Sequence, residues 1–250
     1  MPSAARGRVR SSQPTARSAS SRRAVAASRT TVVLVRSAEA AVDIRALNHR
    51  YRGVDAIRAL SLSVADGQFV ALIGPNGSGK TTLLEILATL LVPTAGDATV
   101  GGFDVRREAQ HVRRLIAHCP AGNTSFWPRL TGFENLKFFA ALAAASADAA
   151  RADRIRSIAA DVGLDAPVLS REVRTYSDGQ AQRLNLARAL LRDAAVWLID
   201  EPTRSLDPAG QRAMWQLIHD RARACGATVI AATHDLAGVN GIADVTVALA

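Results

Sequence analysis

Short apolar runs alternate with segments of helical spacing along most of this chain. The predicted strands cover residues 42–47, 57–64, 69–73, 96–100, 195–199, 227–232 and 243–247. Several of these runs are almost wholly apolar, which is typical of strands that are buried on both faces of a parallel sheet. The pattern therefore predicts an α/β fold with a mostly parallel core sheet.

Helical periodicity marks the intervening segments. The predicted helices are one that starts near residue 82 and ends before Pro93, and others at 106–114, 134–142, 151–162 and 178–191. The two middle segments are rich in good helix formers, and no strand-like run separates them. We therefore expect a helical subdomain at about 131–175, inserted in a folded domain that covers 41–250.

Positive charge is concentrated at the amino-terminal end. The formal net charge is +9, and eight arginines fall within residues 1–38, before the first acidic residue, Glu39. The remainder carries 23 basic and 22 acidic residues, a net charge of +1. The folded domain therefore lacks the charge excess that favours a nucleic-acid partner.

Residues 1–40 are rich in arginine, serine and alanine, and they predict a disordered basic extension. The same composition resembles an organelle transit peptide, so targeting is a second interpretation. An upstream start codon in a GC-rich genome is a third, and the use of 29 arginines against two lysines favours such a source. Within this segment, residues 31–35 are apolar enough for a short strand.

Membrane spans and disulfides are not predicted. No apolar run reaches the roughly 18 residues that a membrane-crossing helix needs. The two cysteines, Cys119 and Cys225, lie far apart and lack metal-ligand spacing, which favours a reducing compartment.

A glycine-rich loop carries the strongest chemical signal. It fits G-x-x-x-x-G-K-[ST] and follows the apolar run 69–73; its residues are Gly74, Pro75, Asn76, Gly77, Ser78, Gly79, Lys80, Thr81 and Thr82. A strand before this pattern and a helix after it are the context in which its backbone N–H groups surround phosphate oxygens. Lys80 is expected to reach the β- and γ-phosphates, and the Thr81 hydroxyl to bind Mg²⁺.

Acidic residues and a histidine follow two later strands. Asp200 and Glu201 come directly after the apolar run 195–199, and His234 follows the run 227–232. Ligand-contacting groups in open α/β sheets gather at the carboxyl ends of the strands. We expect Asp200 to hold Mg²⁺, Glu201 to accept a proton from an attacking water, and His234 to contact a γ-phosphate.

Two further positions have an ordinary and a functional interpretation. Ser177 precedes a helix and fits an N-cap, and the nearby Gly179 would also allow a phosphate to approach the helix N-terminus. Tyr51, between the first two strands, is either a surface aromatic or a side chain that stacks on adenine.

Taken together, these segments resemble the ATP-binding cassette (ABC) family over about residues 41–250. The glycine-rich loop matches the Walker A motif, and residues 196–202 match Walker B, with Glu201 as the catalytic glutamate. Residues 176–183 resemble the family's signature motif, although Tyr176 and Asp178 replace its leading residue and first glycine. Residues 205–207 resemble the D-loop.

The resemblance implies a P-loop NTPase fold with an N-terminal antiparallel β subdomain and an inserted α-helical subdomain. It implies ATP and Mg²⁺ as cofactors, with Thr81 and Asp200 as metal ligands and with Glu201 and His234 as catalytic residues. The nucleotide-binding residues that it implies are Tyr51, Gly74, Pro75, Asn76, Gly77, Ser78, Gly79, Lys80, Thr81, Thr82, Ser177, Gly179, Gln180 and Asp207.

The resemblance also implies an ATPase subunit that powers a membrane permease on a separate chain. Two such subunits, identical or different, would close head to tail over ATP at the cytoplasmic face of the cell membrane, or in an organelle if the extension is a transit peptide. Residues 203–208 and 129–132 resemble the subgroup that serves drug, polysaccharide or lipid exporters. The haem-exporter ATPase of cytochrome c biogenesis is a subfamily alternative.

A soluble ABC ATPase that acts on ribosomes or nucleic acid is the alternative from another class. Such proteins usually carry two cassettes or long coiled-coil insertions, which this chain lacks. Its near-neutral domain also argues against nucleic acid as a partner.

Two features depart from the family pattern. The family places a glutamine at the junction with the helical subdomain, where this chain has Ala121 or Gly122, and Asn123 is the nearest amide. Relatives also continue beyond residues 243–247 through a hairpin and more helix, so we expect a shortened carboxyl-terminal end and a weakly held last strand.

Overall fold

The computed structural model describes residues 32–33, 40–122, 126–143 and 148–249. The strands in these ranges are β1 Val32–Val33, β2 Ala40–Tyr51, β3 Val54–Ala65, β4 Phe69–Ile73, β5 Ala95–Val100, β6 Phe103–Asp104, β7 Ile116–Cys119, β8 Val196–Asp200, β9 Thr228–Thr233 and β10 Val245–Ala248. The α-helices are α1 Lys80–Leu87, α2 Ala109–Leu115, α3 Gly132–Ala143, α4 Asp148–Asp161, α5 Ala166–Leu169, α6 Asp178–Leu190, α7 Pro208–Cys225 and α8 Leu236–Val239.

The amino-terminal sheet has the strand order β1-β3-β2-β5-β6 and is antiparallel except where β1 meets β3. Its centre is a long hairpin of β2 and β3, in which Tyr51 pairs with Val54. Register shifts interrupt the pairing at several points along β2. These irregularities bend the long strands, and they explain why the sequence pattern predicted only the regular parts at 42–47 and 57–64.

The second sheet is wholly parallel, in the order β10-β4-β9-β8-β7. Phe69 and Ala71 face one hydrophobic core, whereas Val70 and Leu72 face the other, because successive side chains of a strand point to opposite faces. All four are buried. The strand therefore has no polar alternation, and the predicted parallel core sheet is confirmed.

Each core joins the parallel sheet to a different layer. One core contains residues of α3, α4, α6 and α7, among them the fully buried Leu136, Ile155 and Trp215. The other lies between the two sheets and around α1, with Leu83 and Leu84 at its centre. Helix α1 is therefore fixed between the sheets, directly behind the glycine-rich loop.

Two short strands were not predicted. Residues 103–104 form β6, and residues 116–119 form β7 at the edge of the parallel sheet, so the helix expected at 106–114 is shifted to Ala109–Leu115. His118 interrupts the apolar pattern of β7. Burial, reinforced by the charge of Arg188, lowers its pKa to about 4, so this histidine is neutral within the strand.

Helices α3, α4 and α5 and a 3₁₀ turn at Val173–Thr175 occupy the segment where helical structure was predicted. The predicted last strand is present as β10, whose residues 245–248 pair in parallel with 70–73 of β4. Residues 32–33, within the apolar run at 31–35, form β1, and Ala40 begins β2. The other predictions for residues 1–40 concern residues outside the described ranges, where Asn123 also lies.

Within residues 32–33, 40–122, 126–143 and 148–249, no helix has both the length and the apolar character that crossing a membrane requires.

Candidate functional site

The candidate site lies at the edge of the parallel sheet where β4, β8 and β9 end. Ile73 pairs with Thr233, and Asp200 pairs with Ala232. The chain segments that follow these strands therefore leave the sheet side by side. This register brings together the glycine-rich loop, the acidic pair and the histidine, which lie far apart in sequence.

The glycine-rich loop packs tightly against the antiparallel sheet. Gly79 has a φ of 91°, and a Cβ at this position would lie 2.3 Å from the carbonyl oxygen of Ala56. Only glycine tolerates both the left-handed backbone and this close approach. Helix α1 begins at the next residue, so its unpaired N–H groups border the loop.

Lys80 holds its positive charge inside this loop. Its Nζ atom donates hydrogen bonds to the carbonyl oxygens of Gly74 and Pro75, at 2.7 and 3.0 Å, and the side chain is buried. The Ser78 Oγ atom is also buried, and it has no hydrogen-bond partner among the described residues. The loop thus presents a cation and an unsatisfied hydroxyl, a combination that suits an anionic ligand.

The predicted metal ligands are in direct contact. The Thr81 hydroxyl donates a 2.7 Å hydrogen bond to Asp200 Oδ2. The other carboxylate oxygen, Oδ1, is buried without a hydrogen-bond partner in the described part of the chain. A hydroxyl and an orphaned carboxylate oxygen are the hard oxygen donors that Mg²⁺ prefers, so these two residues fit that ion.

The surroundings of Asp200 disfavour an ionised carboxyl group. Burial raises the pKa of its carboxyl group, and the neighbouring charges of Glu201 and Glu85 act in the same direction. The hydrogen bond from Thr81 and the positive charge of Lys80 oppose this rise without cancelling it. The ionised form therefore destabilises the fold, and a bound cation would relieve that cost.

The backbone conformation and hydrogen bonds of Glu201 hold this residue in one position. It has a φ of 46°, a left-handed conformation that costs about 1–2 kcal/mol for a residue other than glycine. Its N–H donates to the Ala232 carbonyl at 2.9 Å, and its own carbonyl accepts a 3.5 Å hydrogen bond from Gln182 Nε2. The Glu201 carboxylate meets His234, with 2.8 Å between Oε2 and Nδ1.

Two cavities adjoin at this edge. The larger, of about 420 Å³, is lined by Tyr51, Val54, Asp55, Ala56, Asn76, Gly77, Gly79, Lys80, Thr81, Thr82, Ala121, Glu201 and Arg204. The smaller, of about 370 Å³, is lined by Asn76, Glu201, Arg204 and His234. Tyr51 is 42% exposed, and its ring forms part of the wall of the larger cavity.

Comparisons with known proteins agree with this geometry. The sequence model of the family described as "ABC transporter" matches residues 57–204. This is more than half of the chain. The chain belongs to the ABC transporter family.

Individual relatives of this chain are also named as ATP-binding proteins. The chain is 36% identical over 207 residues to the uncharacterized ABC transporter ATP-binding protein YdbJ of Bacillus subtilis, covering 83% of this chain and 65% of the relative. It is 37% identical over 211 residues to the daunorubicin resistance ATP-binding protein DrrA3 of Streptomyces coeruleorubidus, covering 83% and 64%. The chain thus spans slightly less than two thirds of the length of these two relatives.

The fold is also similar to that of a solved cassette. The dimeric post-hydrolysis structure of the ATP-binding cassette MJ0796 bound to ADP and Pi superposes with a TM-score of 0.77 at 25% identity, over 83% of this chain and 94% of that one. The predicted P-loop α/β fold class, with its antiparallel sheet and helical insertion, is thereby confirmed. The predicted membership of the ABC transporter family is confirmed as well.

The ABC signature segment lies apart from the two cavities. Ser177, Gly179 and Gln180 are not among the residues that line them. Ser177 accepts a hydrogen bond from the Gln180 N–H, and the Gln180 side chain accepts one from the Ser177 N–H, which forms a capping box at the start of α6. The Asp207 carboxylate likewise caps α7, through the Gly210 N–H. Their roles toward nucleotide stay predictions.

Tyr176 is one of the two residues that differ from the family's signature motif, and it anchors this segment to the helical subdomain. Its hydroxyl donates a 2.8 Å hydrogen bond to the Val168 carbonyl. A Cβ at Gly132 would lie 2.1 Å from the same hydroxyl oxygen, so the phenol fills the space that this glycine leaves. Burial is the main reason that its pKa rises to about 12, and the hydroxyl therefore remains a donor.

Two side chains at or beside the site, Asn185 and Arg204, were not predicted. Asn185 is fully buried in α6, and its Nδ2 donates to the carbonyls of Pro120 and Gly122 at 2.6 and 3.2 Å. It therefore fixes the loop in which the family glutamine is replaced. The signal for this residue in the sequence was a polar amide placed between two leucines of a buried helix. Arg204, which lines both cavities, was noted only as part of a subgroup motif.

We predict that Asp200→Asn raises the stability of the protein when Mg²⁺ and nucleotide are absent. The pKa of Asp200 is higher in the folded state than in the unfolded state. The favourable contribution of this group to stability is therefore complete below the unfolded-state pKa, and it is lost as the pH rises through the folded-state pKa. At pH 7 the variant should melt a few degrees higher, since about 1 kcal/mol shifts Tm by about 2–4 °C at this size. Thermal unfolding in EDTA measures this difference, which should shrink toward pH 4.

Asp220→Asn is the matched control. The Asp220 carboxyl has a lowered pKa because it accepts hydrogen bonds from His219 and Gln216. Its favourable contribution is therefore present above the unfolded pKa, and the substitution should not stabilise the protein at pH 7. A lower Tm for Asp200→Asn across this pH range would contradict the interpretation of Asp200.

Proposed function

We propose that this chain binds ATP with Mg²⁺, hydrolyses it to ADP and phosphate, and thereby powers a membrane permease on a separate polypeptide. The single observation that carries this proposal is the contact geometry at the sheet edge. Lys80 and Thr81, the latter hydrogen-bonded to Asp200, line the larger cavity, and the Glu201–His234 pair lines the smaller one beside it.

Binding of the phosphates is assigned to the glycine-rich loop. ATP would bring negative charge to Lys80, whose Nζ would exchange one or both carbonyl partners for phosphate oxygens. Thr81 and Asp200 would hold the Mg²⁺, which when bound shields the phosphate charge during transfer. Tyr51, which lines the larger cavity, would stack on the adenine ring.

Hydrolysis is assigned to Glu201 and His234. Glu201 would orient a water molecule for in-line attack on the γ-phosphate and accept its proton. With Nδ1 protonated, His234 donates to Glu201 Oε2 and holds the carboxylate in one orientation. The fixed left-handed backbone of Glu201 adds to this positioning, so less conformational freedom is lost during the reaction.

Dimerisation would complete the site. Ser177 and Gly179 lie at the capped start of α6, where a helix N-terminus favours a phosphate, yet neither lines the cavities of its own chain. We infer a head-to-tail dimer, homomeric or heteromeric, in which the signature segment of one subunit faces ATP bound to the other. The relative MJ0796 was solved as a dimer with ADP and phosphate.

An exposed apolar surface on and beside helix α3 supports a permease partner. Trp127, Leu130, Phe138 and Leu142 are 44%, 37%, 43% and 71% exposed. The rings of Trp127 and Phe138 pack edge-to-face, with their centroids 4.4 Å apart. Clustered exposed apolar side chains of this kind mark interaction surfaces.

Export is the favoured transport direction, and the cytoplasmic face of the membrane is the favoured location. One relative is named for daunorubicin resistance, and two segments of this chain resemble the exporter subgroup. The balanced charge beyond residue 38 gives no support for a nucleic-acid partner.

We predict that Glu201→Gln retains ATP binding and loses hydrolysis. A positioned base contributes about 10²–10⁴-fold in rate, and glutamine keeps the size of the side chain without its basicity. Phosphate release measures turnover, and calorimetry measures binding. Lys80→Ala is the matched variant, which should lose binding because the ammonium is removed from a phosphate-rich site.

Parental turnover in Glu201→Gln would show that this residue is not the base. Unaltered ATP affinity in Lys80→Ala would contradict the assignment of the glycine-rich loop. A correctly folded parent protein that neither binds nor hydrolyses ATP would overturn the proposed function as a whole.

We also predict that Phe138→Ser combined with Leu142→Ser releases the protein from membranes of its source cells. The double variant removes apolar area from the proposed docking surface, so the membrane-bound share should fall several-fold on fractionation. Leu90→Ser with Val92→Ser is the control, because these side chains are 63% and 70% exposed on another part of the molecule. Equal behaviour of the two double variants would argue against this surface.

A further inference from the structure

Arg204 occupies the wall that the two cavities share. It lines the larger cavity together with Lys80 and Thr81, and the smaller one together with Glu201 and His234. Asn76 and Glu201 are the other residues common to both. Arg204 thus lies between the glycine-rich loop and the proposed catalytic pair.

A rigid turn sets this position. The Arg204 N–H donates to the Glu201 carbonyl at 3.3 Å, and the Leu206 N–H donates to the Thr203 carbonyl at 3.1 Å. Gln211 Nε2 donates to the carbonyls of Thr203 and Leu206, at 3.4 and 3.2 Å. Arg204 therefore follows the strained Glu201 backbone closely, and the loop that carries it is held at both ends.

The acidic groups that line the cavities have other partners. Asp55 pairs with Arg50 and Arg58 at 3.3 and 3.4 Å, and Glu201 Oε2 lies 2.8 Å from His234 Nδ1. Across the residues that the structure describes, the exposed Arg204 guanidinium forms no hydrogen bond or ion pair. It is a cation beside a cavity that already has the features of a phosphate site.

We propose that Arg204 binds the terminal phosphate of an ATP molecule held in the same subunit. The proposal rests on the proposed function, because it requires ATP in the larger cavity. The terminal phosphate is favoured because Arg204 also lines the cavity of Glu201 and His234, where the bond to the γ-phosphate would be cleaved. A planar guanidinium can donate two parallel hydrogen bonds to one phosphate.

This assignment gives the site two cations with different roles. Lys80 is buried and fixed inside the loop, whereas Arg204 is exposed and free to turn toward a ligand. A contact that forms only when a third phosphate is present makes the affinity for a triphosphate exceed that for a diphosphate. Arg204 would therefore discriminate between substrate and product.

The test compares Arg204→Ala with the parent protein by calorimetry, using the non-hydrolysable analogue AMP-PNP and ADP, each with Mg²⁺. We expect AMP-PNP affinity to fall about tenfold, the loss typical of one charge-assisted hydrogen bond, while ADP affinity changes less than about twofold. Arg204→Lys should recover part of the lost AMP-PNP affinity, since lysine restores the positive charge without the planar group that donates two parallel hydrogen bonds. Light scattering confirms that the protein is monomeric under the conditions used.

Arg212→Ala is the matched control. Arg212 lies eight positions along the same chain, is exposed, and lines neither cavity, so its removal changes the net charge equally. It should leave both affinities unchanged. If Arg204→Ala fails to fold, as judged by its Tm, Arg204→Gln replaces it with the same expectations.

Several results would overturn the proposal. Unchanged AMP-PNP affinity in a folded Arg204 variant would do so while leaving the proposed function intact. Equal losses for AMP-PNP and ADP, or a loss seen only once the subunits dimerise, would exclude a contact to the terminal phosphate within one subunit. Absence of nucleotide binding by the parent would reject both this proposal and the proposed function.

Discussion

The parallel register of β4, β9 and β8 is the constraint on which the site depends. Because Ile73 pairs with Thr233 and Asp200 pairs with Ala232, three strand ends coincide at one edge. A slip of one residue would turn the buried side chains of each strand toward the opposite core and move Asp200 away from Thr81. The two cores that enclose these strands therefore fix the geometry of the candidate site as well as the fold.

The candidate site contains two energetically unfavourable features. Asp200 is buried with an unsatisfied oxygen, and burial favours its protonated form. Glu201 has a left-handed backbone, which an ordinary residue avoids. Both features become understandable if a cation and a phosphate chain complete the site, since an ion near Asp200 compensates its charge and the fixed Glu201 loses little entropy on reaction.

Much of the fold was predictable because the parallel strands are continuous apolar runs and the glycine-rich loop has a strict pattern. Strand β7 escaped prediction because its His118 is neutral in a buried position, which composition does not reveal. The full lengths of β2 and β3 escaped because register shifts break their periodicity. Asn185 contacts a distant segment at residues 120–122, and Arg204 lines cavities that several distant segments form. A single sequence does not place those segments in space.

Hydrogen–deuterium exchange with and without MgATP tests directly whether this sheet edge binds nucleotide. We expect slower exchange in residues 74–82 and 200–206, because phosphate contacts and the ordered turn would restrain their N–H groups. Residues 192–195, before β8 at the opposite edge, should exchange at an unchanged rate. Protection confined to the opposite edge, or no protection at saturating MgATP, would show that nucleotide does not bind at this edge.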